Sequence, residues 1–335
     1  MQCYLPPKHL ELCGERVPLQ LPFVAEQLDR EFTIAVYDRA QVVMWLKRAR
    51  RYFPYISKQL KAAGLPDDLK YLAVAESALL HKIRSPAGAV GTWQFIPGTA
   101  RRYGLRVNHW FDDRRNMQKA TRAAIAYLKD LRQEFGSWSL AMAAYNCGER
   151  RLRREMEEQG VRDYYNLYLP DETMRYVFRI MAAKIILEHP ERYGYHLPPD
   201  QLYRPRPADS LTLTLAAKRH LRDLARAAHT TVRRLRELNP ELRTYYLPRG
   251  THTLRVPQGQ AAGLAQRLAS IRPAVRPRVR RTIPVVGKRI WVVRPGESLS
   301  SIARKNGVKL ADLRRVNGIR GDRLHPGQRL VIPGR

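Results

Sequence analysis

Glu76 is the residue in this sequence whose type and setting point most directly to chemistry. Pro66 suits the first turn of a helix, and Asp67 and Asp68 follow at its positive end. Within that helix Leu69, Leu72, Ala73, Glu76 and Leu80 fall at i, i+3, i+4, i+7 and i+11, so they share one face. A carboxylate on the stripe that packs inward loses solvation, and its pKa climbs towards neutrality. A general acid needs that state. A structural carboxylate paired with one of the many arginines fits the pattern equally well, and spacing alone leaves the two readings level.

The downstream residues separate them. Glu76-Ser77-Ala78 is followed by Ser85-Pro86-Ala87-Gly88-Ala89-Val90-Gly91-Thr92-Trp93-Gln94-Phe95-Ile96-Pro97 and by Thr99-Ala100. Further on stand Ala141-Met142-Ala143-Ala144-Tyr145-Asn146-Cys147-Gly148 and Glu172-Thr173-Met174-Arg175-Tyr176-Val177. In this order, over roughly residues 65 to 185, these blocks resemble the soluble-lytic-transglycosylase domain. Its signature is a Glu-Ser pair, a Ser-x-x-Gly-Ala-x-Gly-x-x-Gln block, an Ala-Tyr-Asn-x-Gly helix end and a Glu-Thr-x-x-Tyr-Val helix. The Trp of Gly-Thr-Trp-Gln is most similar to the D type of membrane-bound lytic murein transglycosylases.

The resemblance implies a helical, lysozyme-like domain and a role for each matched residue. Glu76 corresponds to the single catalytic acid/base. Gln94 and Tyr145 match residues that point into the cleft, hold substrate and orient that glutamate, Ser85 matches a serine that touches sugar, and Tyr176 joins this binding set. Asn146 and Glu172 match positions that either bind substrate or serve the fold, the Asn as a helix cap and the Glu as an arginine's partner. Trp93 either stacks on a sugar face or fills the core.

An ordinary glycosidase needs two carboxylates, one protonating the leaving oxygen and one serving as nucleophile or activating water. The implied chemistry needs one. Glu76 would protonate the oxygen between N-acetylmuramic acid and N-acetylglucosamine, aided by the N-acetyl group. The same carboxylate would then take the proton of the C6 hydroxyl as that oxygen closes on C1, leaving a 1,6-anhydro end. A goose-type lysozyme is the nearest rival and would need a second acid, for which Asp112, Asp113 and Asp130 are available. Phe111-Asp112-Asp113-Arg114-Arg115-Asn116 reads more naturally as a helix cap. A non-catalytic, glycan-binding scaffold is the other rival, and Glu76 together with Gln94 and Tyr145 argues against it.

The elements that must position these residues are helices. Apolar residues recur at helical spacing over 21–28, 42–60, 69–80 and 120–131, with breaks at Gly64-Leu65-Pro66, Ser85-Pro86, Gly136-Ser137, Gly148 and Pro170. Past Pro190 the texture changes. Pro198-Pro199 and Arg204-Pro205-Arg206-Pro207 read as one linker, and Arg272-Pro273 through Pro284 as a second. They isolate two segments related by an offset of 78: Leu224-Ala225-Arg226 matches Ile302-Ala303-Arg304, and Leu235, Leu238 and Asn239 match Leu313, Val316 and Asn317. Each segment predicts strand, helix, helix, strand. The fold class expected is therefore α+β multidomain. It comprises an N-terminal helical segment (1–64), a catalytic domain (65–190), a linker (191–208), a drifted module (209–258), a Pro/Arg-rich linker (259–287) and a second module (288–335).

That second module resembles LysM through Trp291-Val292-Val293-Arg294-Pro295-Gly296-Glu297-Ser298-Leu299, Ile302-Ala303, Leu313, Asn317-Gly318 and Pro326-Gly327-Gln328. The resemblance implies binding of N-acetylglucosamine-containing glycan in a groove lined by Gly296, Glu297, Ser298, Leu299 and the loop after Asn317. The first copy has Arg219-His220-Leu221 where the Gly-Glu-Ser-Leu loop belongs, and is expected to keep the fold without the binding.

Composition bounds the rest. Lys and Arg number 61 against 30 acidic residues, a net charge of +31. Nucleic acid and the carboxylate-bearing peptide stems of peptidoglycan both suit that charge. No helix-turn-helix signature or aromatic-lined basic groove is visible, so peptidoglycan strands are the expected partner of a monomer, and nucleic acid is not. Cys3, Cys13 and Cys147 have no metal-ligand spacing, and neither metal nor cofactor is expected. Reduced thiols are the favoured reading over a Cys13–Cys147 bridge. The longest charge-free stretch, 85–100, is too short to span a bilayer. Met1 to Pro7 shows no export signal, yet the implied substrate lies in the cell envelope; the expectation is an exported, periplasmic protein, either free or anchored to a membrane through a preceding segment.

Overall fold

The structure is a computed structural model and describes residues 3–273, 289–319 and 321–333. It divides into two compact units, Met1–Ala274 and Val275–Arg335. The first opens on a small hairpin, β1 (Glu11–Leu12) and β2 (Glu15–Arg16), turned at Cys13 and Gly14. Helices α1 (Pro22–Tyr37) and α2 (Arg39–Ala62) follow, and Asp38 caps α2 by accepting from the Gln41 amide at 3.0 Å. A turn of 3-10 helix leads into α3 (Lys70–Ser77). Then come α4 (Pro97–Arg102), α5 (Met117–Phe135), α6 (Trp138–Cys147), α7 (Glu149–Gln159) and α8 (Asp171–Glu188).

Burial explains the arrangement. Helix α8 buries residues all around its circumference, from Thr173 to Ile186, as a helix does when neighbours enclose it. Helices α1, α3 and α6 pack on it. In α6 the run Ala141, Met142, Ala143, Ala144 has no exposed surface, and its small side chains let neighbouring helices approach closely. Asn116 and Ser137 cap α5 and α6 through the amides of Lys119 and Leu140.

The stretch expected as a free linker over 191–208 is docked along the helices. Tyr195 donates to Val36 O at 2.6 Å, the Tyr203 amide donates to Lys47 O at 3.1 Å, and Arg51 donates to Arg204 O at 3.0 Å. The first module pairs β3 (Ala208–Leu215) with β6 (Gly250–Pro257) antiparallel along their whole length. Between them lie β4 (Arg219–His220), α9 (Leu221–Ala227), α10 (Val232–Leu238) and β5 (Tyr246–Leu247). Its core contains Phe111 from the helical domain, and the Asp112 amide donates to Glu241 O while Asn116 donates to Glu241 Oε1, both at 2.9 Å. The module is thus fixed to the helical domain.

The linker expected from 259 to 287 needs correcting at its start. Residues Leu264–Ser270 form α11, whose Leu264 and Leu268 lie at i and i+4 and bury in the module's core. The part from 274 to 287 lies outside the described residues.

The second unit carries β7 (Arg289–Val292), α12 (Leu299–Lys305), α13 (Leu310–Val316) and β8 (Arg329–Ile332), with β7 and β8 antiparallel. The duplication read in the sequence extends to hydrogen bonds. Asn317 donates to Leu313 O and Val331 O and accepts from the Val331 amide. Asn239 makes the same three bonds, to Leu235 O, Arg255 O and the Arg255 amide. In both copies this Asn ties the second helix to the closing strand. The whole is α+β and multidomain, as expected.

Candidate active site

Glu76 is the penultimate residue of α3. The helix stops at once because Ala78 and Leu79 both take left-handed conformations, φ +51 and +62. Such residues cost about 1–2 kcal/mol each and recur where a chain is bent for function. The stop overturns one expectation: Leu80 does not continue the buried face but is 38% exposed, while Leu79 is buried in its place. Ser77 pins the end by donating to Thr92 O at 2.8 Å.

The segment 84–96 forms a tight double loop bridged at Arg84–Val90 and Val90–Phe95. The hydroxyl of Ser85 accepts from the Ala89 amide at 3.0 Å, so it closes a turn. Gln94 sits at φ +44 and its amide folds back onto Gly91 O at 2.7 Å. Trp93 is fully buried and donates through Nε1 to Thr121 Oγ1 at 3.0 Å, so it is core and has no face for a sugar. Beneath the loop, buried Arg114 forks onto Asp112 at 2.8 and 3.0 Å and donates to Gly88 O and Phe95 O, each at 3.0 Å.

Two tyrosines meet at the glutamate. Tyr176, buried on α8, donates its hydroxyl to Glu76 Oε1. Tyr145 donates to Trp93 O at 2.6 Å and lies within the field of the Glu76 carboxyl. Burial first, then the charge of Glu76, pushes both phenols well above their ordinary range, so both remain donors. Glu76 is itself half-buried. Burial pushes its pKa up to about 7; the Tyr176 hydrogen bond opposes this, the charge of Glu172 adds to it, and Arg179 offsets it. Glu172 is exposed in the first turn of α8, and Asn146 accepts from Thr173 Oγ1 at 2.8 Å, joining α6 to α8. Because the Tyr176 hydroxyl stabilises the ionised carboxylate, Tyr176→Phe is expected to move the alkaline limb of kcat/KM upwards by about one pH unit. A pH–rate profile of the variant with an unmoved limb would remove Tyr176 from this role.

Glu76 opens onto a cleft of ≈ 440 Å³ whose walls include Trp45, Arg48, Leu80, Ile83, Arg175 and Arg179. Glu31 also lines it and went unread in the sequence. It is 4% exposed and bound by Arg30, by Arg175 at 2.6 Å and by Arg179 at 3.4 Å. The signal was present: Val24, Leu28 and Glu31 lie at i, i+4 and i+7, the same pattern that singled out Glu76. The acids a hydrolase would need are engaged elsewhere. Asp112 is held by Arg114, Asp113 by Arg106 and Lys119, and Asp130 accepts from Tyr103, and none of them lines this cleft.

In the second module Gly296 and Ser298 are exposed, Glu297 and Asn317 half-buried, and Leu299 buried. Leu299 is 2% exposed and belongs to the core, and Ser298 caps α12 in a reciprocal pair with Ser301. Glu297 accepts from Trp291 Nε1 at 2.9 Å, the Arg294 amide at 3.1 Å and Lys305 at 2.8 Å, and these bonds hold its pKa down at about 2. Gly296 is exposed at φ +81. Of these, Leu299 and the Asn317 side chain are corrected to structural parts, since Leu299 is buried in the core and the Asn317 amide is spent on Leu313 O and on both backbone groups of Val331.

All three cysteines are free thiols, so the Cys13–Cys147 bridge is not formed. Among the described residues no His/Cys/Asp/Glu group could hold a metal ion, and no helix is long and apolar enough to cross a membrane.

The transglycosylase SLT domain matches residues 54–168, a LysM-like domain of lytic transglycosylase MltD matches 212–273, and the LysM domain matches 292–333. Membrane-bound lytic murein transglycosylase D of Escherichia coli K12 is 34% identical over 295 residues, which are 85% of this chain and 64% of that protein. The chain therefore spans less than two thirds of this relative's length. A putative tributyltin chloride resistance protein of an Alteromonas species is 33% identical over 115 residues, 33% of this chain and 56% of that protein. The solved lytic transglycosylase Slt of Pseudomonas aeruginosa, an inactive mutant, aligns with 45% of this chain and 26% of its own at 23% identity and a TM-score of 0.33.

Proposed function

We propose that this chain, an SLT-domain protein with MltD-type and LysM modules, is a peptidoglycan lytic transglycosylase that leaves 1,6-anhydro-muramyl ends. One observation carries the reading: Glu76, its pKa pushed up to about 7 by burial, faces an open cleft and is addressed by the Tyr176 hydroxyl. A group with that pKa is protonated often enough to act as acid and is basic enough afterwards to act as base. Glu76 protonates the glycosidic oxygen between N-acetylmuramic acid and N-acetylglucosamine. It then accepts the C6 hydroxyl proton as that oxygen closes on C1, so the pair of steps restores the acid and needs no water. Tyr176 fixes the carboxylate's orientation, and Tyr145 fixes the loop that carries Gln94 through its bond to Trp93 O.

The cleft's other carboxylates are engaged, Glu31 by Arg175 and Arg179 and Asp38 by the Gln41 amide it caps, which disfavours a two-carboxylate hydrolysis. The LysM module supplies affinity for N-acetylglucosamine-containing strands, and the substrate places the working enzyme in the cell envelope. Purified sacculi incubated with the protein are expected to release muropeptides lighter by one water than hydrolytic products, as read by mass spectrometry. Release of reducing, hydrated ends would instead make it a lysozyme-type hydrolase, and no release would leave a binding scaffold.

A further inference from the structure

Where the first module docks on the helical domain, a cavity of ≈ 220 Å³ is walled by α2, the residues just before and within the start of α5, and the module itself. It is separate from the Glu76 cleft and shares no lining residue with it. Four arginines reach it from four different segments: Arg51 from α2, Arg115 before α5, Arg206 from the docked connection and Arg255 from β6.

Their positive charge is only partly answered from within: Arg51 donates to Arg204 O and lies over the Tyr203 ring, and Glu237 lies in the field of Arg206. Arg115 Nε is buried without a hydrogen-bond partner and lies 3.6 Å from Asp112, whose two oxygens already sit in the fork of Arg114. The guanidinium of Arg206 makes no hydrogen bond among the described residues, and that of Arg255 makes only a 3.5 Å contact with Arg206 O. The one carboxylate in the wall, Glu237, is paired with Arg233 and Arg234 at 3.2 and 3.6 Å. His81 also lines the cavity; burial, then the surrounding cations, holds its pKa down at about 4, so its ring is neutral. Tyr52, Met117 and Leu238 give the cavity apolar walls.

Convergent, under-neutralised guanidiniums beside apolar surface suit a carboxylate carried on a small aliphatic skeleton. We propose that this junction cavity binds a free carboxylate of the peptide stems of peptidoglycan, so that the docked module and the helical domain together grip the stem. The inference rests on the proposed function, because it is that reading which makes stem peptides the abundant carboxylates at hand.

The test is direct binding of a free murein stem tripeptide to the full chain by isothermal titration calorimetry. Its comparison ligands are the same peptide with every carboxyl amidated, and inorganic phosphate. The acidic peptide is expected to bind saturably and the amidated one at least about tenfold more weakly, the loss of one charged hydrogen-bonded contact. Arg206→Glu and Arg255→Glu each weaken the acidic peptide by a similar factor, whereas Glu237→Gln, which removes the cavity's own negative charge, tightens it.

Equal binding of the amidated peptide, or charge-reversed variants that remain folded and bind unchanged, would overturn the proposal. Phosphate binding as tightly as the peptide would make this a phosphate site and overturn it too. Glycan cleavage is measured separately on sacculi. Cleavage without peptide binding sinks only this inference; peptide binding without cleavage sinks the proposed activity.

Discussion

Glu76→Gln is expected to lower turnover on sacculi by about 10²–10⁴-fold, the contribution of a positioned general acid/base, and to make the protein more stable at alkaline pH. The two effects share one cause. Folding raises the Glu76 pKa from 4.5 to about 7, so the folded chain holds this proton more tightly than the unfolded chain does. That preference is present in full below pH 4.5 and is lost as the pH rises to about 7. Above that, the fold carries a buried charge it would rather not have, at a cost on the order of 3 kcal/mol. Glutamine keeps the shape and carries no charge. Denaturant unfolding at pH 4 should therefore find variant and parent alike, and at pH 8 should find the variant more stable. Equal midpoints at pH 8 would mean that Glu76 is not strained by burial. Near-normal turnover would mean that it is not the acid.

Glu76 was legible because a helix writes its inward face at fixed intervals, and a carboxylate among Leu69, Leu72 and Ala73 breaks that pattern visibly. Leu80 was misread because nothing in Ala78-Leu79 announces two left-handed residues; glycine usually marks such a stop, and here alanine and leucine occupy it. Trp93 was ambiguous because burial of one ring depends on α5 crossing beneath it, a contact between segments with no local signature. Ser85, Asn146, Glu297 and Asn317 show a further limit. A motif marks which residues matter, but a polar side chain that holds a loop in shape looks in sequence like one that holds a ligand. The docking of the first module was hidden for a similar reason, since Phe111 and Leu242, and Asp112 and Glu241, find each other only once both domains exist. Helix α11 was lost to the surrounding prolines and arginines, though Leu264 and Leu268 carried the spacing.

Gly91→Ala is expected to be among the most damaging single substitutions in the chain, destabilising the fold by more than about 4 kcal/mol. Gly91 sits at φ +88, where an L side chain is already strained, and an added Cβ would lie 1.9 Å from the carbonyl oxygen of Arg114. That neighbour is backbone and cannot swing aside, so the Arg114 main chain must move. Arg114 is buried and makes the bonds to Gly88 O and Phe95 O that brace both sides of the 84–96 loop. The loop in turn supplies Thr92 O to Ser77, Gly91 O to Gln94 and Trp93 O to Tyr145. A displacement of about 1 Å there reaches the end of α3 and should cost about 10²-fold in turnover in whatever fraction still folds. Gly98→Ala is the matched control. Gly98 lies in the first turn of α4 with nothing within 4 Å of its added Cβ and no left-handed φ, so alanine is expected to be neutral or to stabilise by up to about 1 kcal/mol. Thermal unfolding of the two variants side by side decides the matter: if Gly91→Ala melts with Gly98→Ala, the loop is not braced by Arg114, and its rigidity cannot be what positions the residues around Glu76.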